Sequence, residues 1–107
     1  MKTKHGNRND SPRPHHLYQI EDREENDIYK FGICGKPLNK DGSSPRGIEQ
    51  SSELNRADGW LRYFVRILQR NIPGRRLAKI FEENHIQSYK DINGRLPRGN
   101  DEKKKFR

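Results

Sequence analysis

The sequence is poor in apolar residues and nearly lacks cysteine. Only 28% of its 107 residues are hydrophobic, so the chain can build one small domain with a modest core. Its single cysteine, Cys34, excludes an internal disulfide and a zinc site made from several cysteines. No apolar run is long enough to cross a bilayer, and residues 1–16 lack the apolar segment of a signal peptide. We therefore expect a soluble protein with no membrane partner and no structural metal site.

Charged residues, in contrast, are abundant. They make up 36% of the chain, and the formal net charge is +8. A strongly basic protein suits a polyanionic partner such as nucleic acid. A solvated basic surface that binds nothing in particular explains the same charge, so composition alone leaves both interpretations open.

The two ends of the chain show no hydrophobic periodicity. Residues 1–16 are polar and contain proline, which predicts a disordered N-terminal arm. Residues 101–107 are predicted to be a charged C-terminal tail, which leaves 17–100 as the folded domain. An initiator methionine followed directly by such an arm also suggests a domain cut from a longer protein.

Between these ends, the pattern predicts an α+β fold. Strands are expected near residues 17–21, 28–34 and 62–69, with the turn "DREEND" between the first two. A helix is expected over "PRGIEQSSELNRADG", ended by Gly59. The segment "WLRYFVRILQR" fits either a strand or a helix, but its many aromatic and β-branched residues favour a strand. We therefore predict a small three-stranded antiparallel sheet flanked by helices.

A second helix is predicted over Arg75–Ile92. Its apolar face is expected to hold residues spaced by three and four, namely Ala78, Phe81, His85, Tyr89 and Ile92. At about 100° per residue, Glu82 lies at the margin of this face and Glu83 lies on the outer side. Glu82 is therefore expected to be held against the domain. An ion pair with a nearby arginine explains this position as well as a functional role does.

Basic residues concentrate between Trp60 and Phe81, where the sequence has no acid. This stretch is predicted to bind nucleic-acid phosphates through Arg62, Arg66, Arg70, Arg75, Arg76 and Lys79. Cations interleaved with aromatic residues suit phosphate neutralisation combined with base stacking. A plain solvated edge of a strand and a helix is the competing interpretation.

The order of short motifs along the domain resembles the GIY-YIG nuclease superfamily. "LYQI" and "YKFGI" are similar to its two strand motifs, with Gly32 as the motif glycine. Arg46 opens the next helix as the family arginine does. "FEENHI" resembles the motif of the family glutamate, which matches Glu82, and "LPRGN" resembles the closing motif, which matches Asn100. The resemblance covers nearly the whole domain and implies the same fold.

The sequence departs from the family pattern in both strand motifs. The first motif, "HLY", lacks the glycine and the isoleucine. In the second, Lys30 stands where the family has tyrosine, and Tyr29 precedes it. Because side chains alternate along a strand, we expect only one of the two to face the site. We assign Lys30 to the site and keep Tyr29 as the second choice.

The resemblance implies a role for each matching residue. Glu82 would hold a divalent cation, Mg²⁺ or another such as Mn²⁺, together with a phosphate oxygen. Tyr18 would orient or deprotonate the attacking water, helped by the positive charge of Lys30 and Arg46. Arg46 would also brace the phosphate, and Asn100 would tie down the site.

The function implied by these roles is metal-dependent hydrolysis of phosphodiester bonds in DNA, and RNA stays open as the alternative substrate. The lack of a separate recognition module favours a bacterial effector toxin that acts in the cytoplasm of a bacterial cell and has a cognate acidic immunity protein. A mobile-element or repair-type endonuclease is the alternative within the same superfamily. A non-catalytic basic nucleic-acid-binding module, or a basic protein that binds no nucleic acid, are the alternatives outside it.

Overall fold

The computed structural model of the protein describes residues 10–101, and it confirms the predicted fold class. The strands are β1 (Pro14–Asp22), β2 (Asp27–Cys34) and β3 (Tyr63–Pro73). The helices are α1 (Pro45–Asp58), between β2 and β3, and α2 (Arg75–Asn93), after β3; a single 3-10 turn follows at Arg98–Asn100. The protein is thus a small α+β domain. In the described part of the chain, no helix is long and apolar enough to span a bilayer.

The central strand of the sheet is β1. It pairs antiparallel with β2 on one side and with β3 on the other, so β2 is an edge strand. The predicted acidic turn joins β1 to β2. Asp22 closes it by accepting hydrogen bonds from the backbone N–H groups of Glu24 and Glu25 at 3.0 and 3.3 Å. Asn26 follows with φ 52°, a conformation that asparagine tolerates better than most residues.

The two faces of the sheet carry two separate apolar clusters, because side chains alternate along each strand. On one face, Leu17, Ile33 and Ile72 pack against Ala78 of α2. On the other face, the cluster contains Tyr18, Ile20, Cys34 and Tyr63 and is joined by Leu54 of α1. The sheet is therefore covered by α2 on one face and by α1 on the other.

The first helix has the predicted bounds, because strong signals mark both of its ends. Ser44 is the N-cap, and its hydroxyl accepts a hydrogen bond from the backbone N–H of Gly47 at 3.1 Å. Pro45 follows at the first helical position, where its missing N–H costs nothing. Gly59 ends the helix in the left-handed conformation at φ 78°.

The ambiguous third segment is a strand, as predicted, but it is longer than expected. Tyr63, Val65 and Ile67 face the cluster beneath α1. The strand continues to Pro73, which pairs with Pro14 at the start of β1. This longer ladder also extends β1 toward the N-terminus.

The predicted N-terminal arm is therefore too long. Residues 14–16 belong to β1, and His15 and His16 are buried. Ser11 is buried as well, and its carbonyl accepts a hydrogen bond from the backbone N–H of Arg75 at 3.0 Å. The polar composition of this segment concealed a strand whose partner lies more than fifty residues later. Residues 1–9 of the predicted arm and 102–107 of the predicted tail lie outside the described residues.

The predicted apolar face of α2 is also partly wrong. Ala78 and Tyr89 are buried, but His85 is exposed and Ile92 is 83% exposed. The buried stripe runs instead through Ala78, Glu82 and Tyr89. On a helical wheel this stripe is rotated by about 40° from the predicted one, toward the glutamate. The hydroxyl of Tyr89 fixes this rotation by donating a hydrogen bond to Asp27 at 2.7 Å.

Candidate active site

A polar cleft of about 250 Å³ opens at the edge strand β2. Residues from β1, β2, α1 and α2 meet there, and its lining consists of Tyr18, Lys30, Gly32, Ile33, Arg46, Arg75 and Glu82. Four of the six predicted catalytic residues are thus brought together, whereas Tyr29 and Asn100 are not in the lining. The lining has three cationic side chains and one carboxylate, so the cleft suits a phosphate better than a cation alone.

The floor of the cleft is formed by Tyr18 and Gly32, which are directly opposite each other in the β1–β2 register. A Cβ atom at Gly32 would lie 2.9 Å from Cε1 of the tyrosine and closer still to its Cζ and hydroxyl oxygen. Only glycine therefore lets the ring cross the backbone of β2. The motif glycine is needed here for close approach and not for an unusual backbone conformation.

The hydroxyl of Tyr18 is held by α1. It donates a hydrogen bond to Oε1 of Gln50 at 2.6 Å, and the residue is fully buried. Burial raises the pKa of Tyr18 well above its usual value, and the guanidinium of Arg46, which interacts with the same hydroxyl, offsets this only in part. The phenol therefore keeps its proton at neutral pH.

The start of α1 places Arg46 at the cleft. The N-cap Ser44 fixes this start, and its hydroxyl is hydrogen-bonded to Nε2 of His16 on β1 at 2.7 Å. A Cβ atom at Gly47 would lie 2.7 Å from Val65, so the helix packs closely on β3. Strand β1 thus supplies both Tyr18 and, two residues earlier, the anchor for the helix that carries Arg46 and Gln50.

Glu82 and Glu83 differ as the helical geometry predicted. Glu82 is 8% exposed and lines the cleft, whereas Glu83 is exposed and does not line it. Glu82 pairs with Lys79, whose Nζ lies 3.3 Å from Oε1. The two residues are about one helical turn apart, and the side chain of Lys79 is 45% exposed to solvent, so the ion pair contributes little to stability.

The alternation argument for Tyr29 and Lys30 is wrong, although Lys30 is the residue that lines the cleft. The register of β1 and β2 shifts after Ile20, which pairs with Lys30, so that Tyr29 is an extra residue in a β-bulge. Both side chains consequently reach the α1 face, where they line the same neighbouring cavity of about 280 Å³. Tyr29 packs edge-on against Tyr63 with ring centroids 5.2 Å apart. It is a core aromatic at the margin of the site.

Asn100 acts on the backbone next to the cleft. Its side-chain amide donates to the carbonyl of Phe31 at 3.0 Å and accepts from the N–H of the same residue at 2.8 Å. These two hydrogen bonds satisfy the backbone N–H and C=O of Phe31 on the open side of the edge strand, between Lys30 and Gly32. Gly99 allows this approach, since a Cβ atom there would lie 2.6 Å from Tyr29. Asn100 thus fixes the strand that carries the cleft residues, as the predicted tying role requires.

The six basic residues predicted to bind nucleic acid do not form one surface. Arg62 binds both carboxylate oxygens of Asp22 at 2.8 Å and also pairs with Asp58, and its side chain is only 13% exposed. Arg62 is thus held in a structural ion pair, which argues against a place on the nucleic-acid surface, and its assignment to that surface stays a prediction. Arg66 pairs with Glu21 at 2.5 Å, but its side chain is 60% exposed.

The other four basic residues differ in position. Arg75 lines the cleft and Lys79 pairs with Glu82 beside it. Arg70 and Arg76 are exposed. The structure is therefore compatible with phosphate binding at these four positions, but that function stays a prediction.

The lining is compatible with a cation that takes most of its ligands from water and substrate. Glu82 is the one carboxylate in the lining. Within residues 10–101, no three His, Cys, Asp or Glu side chains form a metal-binding group. Mg²⁺ commonly binds through one or two carboxylates and keeps waters and substrate phosphate oxygens as its other ligands. The donor set of Glu82 plus a phosphate fits this pattern.

A larger cavity of about 680 Å³ lies between the β1–β2 turn and the C-terminal half of α2. None of the predicted catalytic residues lines it. Its acidic residues Glu21, Asp22 and Asp27 are all engaged by arginines, and Asp27 also accepts a hydrogen bond from Tyr89. We therefore place the candidate site in the smaller cleft, where the chemistry is concentrated.

Sequence reasoning missed two residues of the site. Gln50 carries no motif, but it is four residues after Arg46 on the same helix face, which indicates a place at the same site. Arg75 was assigned to a surface, although it is seven residues before Glu82, which is almost two whole turns. Both could have been found by extending the helical-wheel argument from the matched residues to their neighbours.

The fold and the cleft define a small α+β domain with a cation-rich polar cleft that contains one buried carboxylate. Within this class, the chain matches the family described as URI fold toxin 2 over residues 7–94. Because the match covers most of its length, the chain belongs to the URI fold toxin 2 family. This confirms the predicted toxin class and a URI-like fold. No curated protein and no solved structure matches the chain.

Proposed function

We propose that this toxin domain is a metal-dependent endonuclease of the GIY-YIG type, which hydrolyses phosphodiester bonds in DNA. The observation that supports the proposal is the convergence of Tyr18, Lys30, Arg46 and Glu82 on one cleft. These residues come from four different elements and are the ones that the motif resemblance selects. A structural role for each residue separately gives no reason for all four to meet.

In this proposal, Arg46 and Lys30 bind the phosphate and balance the negative charge that increases in the transition state. The guanidinium of Arg46 presents a planar fork of donors that matches two phosphate oxygens. Asn100 keeps Lys30 and Gly32 in place through the backbone of Phe31. Each of these contributions is positioning or electrostatics and needs no covalent intermediate.

Tyr18 orients the attacking water in this mechanism. Its hydroxyl proton is committed to Gln50, so the lone pairs of the oxygen are the part that can accept a hydrogen bond from water. Tyr18 is fully buried, and Arg46 interacts with its hydroxyl. Movement of Arg46 onto the phosphate would uncover it. The raised pKa of Tyr18 favours this orienting role over that of a pre-ionised base.

A divalent cation such as Mg²⁺ or Mn²⁺, bound by Glu82 and a phosphate oxygen, would polarise the phosphate and stabilise the leaving oxygen. Glu82 is suited to this position because α2 holds it in the cleft with little exposure. The cationic side chains around it attract the substrate phosphate that completes the ligand set.

As a toxin, the domain would act on DNA in the cytoplasm of a bacterial cell. A cognate immunity protein is then required in the producing cell, and an acidic one would complement the basic surface. A mobile-element or repair role is less compatible with membership of a toxin family.

Metal-dependent cleavage tests the proposal directly. The purified protein is incubated with supercoiled plasmid DNA, and separately with structured RNA, in Mg²⁺ or in EDTA. We expect nicked and linear DNA only with the metal, and no product from the Glu82→Gln variant prepared in the same way. Metal-independent binding without cleavage would instead support a non-catalytic nucleic-acid-binding module. If the protein neither binds nor cleaves DNA or RNA, nucleic acid is rejected as the target.

A further inference from the structure

Arg75 is the first residue of α2, and its position links it to the cleft. It is seven residues before Glu82, so the two side chains project from almost the same face of the helix, about 10 Å apart along its axis. Both line the cleft with Tyr18, Lys30 and Arg46. The neighbouring Arg76 is turned by about 100° and is exposed.

The guanidinium of Arg75 has a donor without an acceptor. Its Nε is buried and has no hydrogen-bond partner within the described residues. A buried donor of a charged group is costly when it is unpaired, and such groups often mark a site where a ligand completes the bonding. An ion pair with Glu82, the carboxylate of the cleft, does not explain the position of Arg75, since Glu82 pairs with Lys79.

The backbone around Arg75 is fixed, so the side chain starts from a defined position. The N–H of Arg75 donates to the carbonyl of Ser11 at 3.0 Å, and the N–H of Gly74 donates to that of Arg13 at 3.2 Å. Gly74 adopts φ 92°, which makes the sharp change from β3 into α2 possible. Helices α1 and α2 therefore both begin at the cleft, and each brings one arginine from its first turn.

We propose that Arg75 is a second substrate-binding arginine of the cleft, which turns its side chain toward the nucleic-acid strand and donates from Nε and one terminal nitrogen to a phosphodiester group. This inference rests on the proposed nuclease function and adds a residue that the motif resemblance does not supply. Arg46 and Arg75 then approach the bound phosphate backbone from helices on opposite faces of the sheet. A lysine at position 75 would keep the charge but lose the planar fork.

The test compares Arg75→Gln with Arg56→Gln, which removes the same charge from an exposed position in the last turn of α1. Binding of a short DNA duplex is measured by fluorescence anisotropy in EDTA, where no cleavage occurs. We expect Arg75→Gln to weaken binding about 10- to 100-fold, since it removes charged hydrogen bonds in a confined cleft. Arg56→Gln should weaken it by no more than about threefold, as expected for one exposed charge.

A second measurement separates ligand binding from a structural role. At constant ionic strength, inorganic phosphate should raise the Tm of the wild-type protein and of Arg56→Gln, but not that of Arg75→Gln. Arg75→Lys should retain only part of the wild-type duplex affinity. If Arg75→Gln proves unstable, Arg75→Lys decides the point, because wild-type affinity with lysine would contradict a need for the fork.

The outcomes distinguish this inference from the function on which it rests. If the wild-type protein neither binds nor cleaves DNA or RNA, the proposed function is wrong, and the role of Arg75 fails with it. If the wild-type protein cleaves but Arg75→Gln behaves like Arg56→Gln, the nuclease function stands and the inference about Arg75 is wrong.

Discussion

The ring of Tyr18 occupies the space that a side chain at position 32 would fill, directly across the β1–β2 pair. This contact joins the fold to the cleft, because the tyrosine hydroxyl reaches Gln50 and Arg46 only by crossing the backbone of β2 at Gly32. The second strand motif thus needs its glycine because the tyrosine of the first motif packs across it.

Gly32→Ala should therefore displace the ring and impair cleavage. Overpacking of this kind costs about 1–3 kcal/mol of stability, and we expect the cleavage rate to fall far more than the loss of folded protein explains. Gly59→Ala is a stability-matched control, since it strains a residue at φ 78° with nothing within 4 Å of its Cβ. Rates and Tm values of both variants are compared. Similar rates at similar stability would show that the Tyr18–Gly32 contact does not matter for the chemistry.

The protonation state of Tyr18 can be tested by titration. Because burial raises its pKa above the usual value of about 10, the folded protein should keep this proton up to about pH 10. Tyr18→Phe should then show the same phenolate absorbance as the wild type up to that pH, although its cleavage rate falls by more than about 100-fold. Gln50→Leu, which removes the acceptor, should lower the rate about tenfold. A phenolate signal near pH 8 that disappears in Tyr18→Phe would instead indicate an ionised base.

Arg62 is expected to affect stability and not nucleic-acid affinity. Burial alone would raise the pKa of Asp22, but hydrogen bonds from Arg62 and Arg98 outweigh it and hold the pKa well below its usual range. The ion pair therefore contributes stability above about pH 4, the unfolded value, and that stability is lost as the pH falls further. Arg62→Gln should lower the Tm by about 5 °C or more at pH 7.

The control for Arg62 is Arg66→Gln, whose exposed ion pair with Glu21 should contribute little. The difference in Tm between the wild type and Arg62→Gln should shrink as the pH is lowered below about 4. A weaker affinity of Arg62→Gln for DNA at unchanged Tm would return Arg62 to the binding surface.

The features that could be predicted from the sequence are those that depend on local signals along the chain, such as the alternation of side chains in a strand and the repeat of a helix. Alternation identified the three strands, and the serine, proline and glycine signals bounded α1. The helical wheel separated Glu82 from Glu83, because the angle between consecutive residues does not depend on the rest of the fold. The same wheel misplaced Ile92, since the partner surface, and not the helix, decides how far the buried stripe extends.

The features that could not be predicted depend on distant partners. Asp22 and Arg62 are 40 residues apart, and neither carries a local signal of the pair. The extension of β1 to Pro14 requires the end of β3. The bulge at Tyr29 defeated the alternation rule, because one extra residue reverses the face of everything on one side of it.

The basic surface gives a prediction about salt. Arg70 is exposed on β3. Arg76 is exposed at the start of α2, which is the end of that helix at the cleft. Reversing both charges to glutamate should weaken binding to every DNA sequence, and it should reduce the slope of log affinity against log salt by about 1 for each phosphate that the variant no longer neutralises. The control reverses Arg56 and Lys90, which are basic residues in the last turns of α1 and α2. Equal effects of the two double variants would indicate that the affinity depends on the overall positive charge of the protein and not on a defined binding surface.

The comparison of Glu82 with Glu83 tests the centre of the site. The two residues have the same charge and adjacent positions on α2, but only Glu82 lines the cleft. If Glu82 binds the cation, Glu82→Gln removes the charge at nearly constant shape, and cleavage should fall by at least about 1000-fold, a loss of roughly 4 kcal/mol of transition-state stabilisation. Glu83→Gln should keep nearly the wild-type rate.

DNA binding in the absence of metal distinguishes a variant that has lost the cation ligand from one that no longer folds. In EDTA, Glu82→Gln should bind a DNA duplex as tightly as the wild type or more tightly, because a carboxylate beside the bound phosphate has been neutralised. The ion pair with Lys79 is absent from the same variant, but the lysine partner is exposed to solvent and the pair contributes little stability, so the Tm should stay within a few degrees of the wild-type value. A variant that is folded, binds DNA and does not cleave it would place the cation at Glu82. Equal cleavage by Glu82→Gln and Glu83→Gln would mean that the buried carboxylate of this cleft has no part in the reaction.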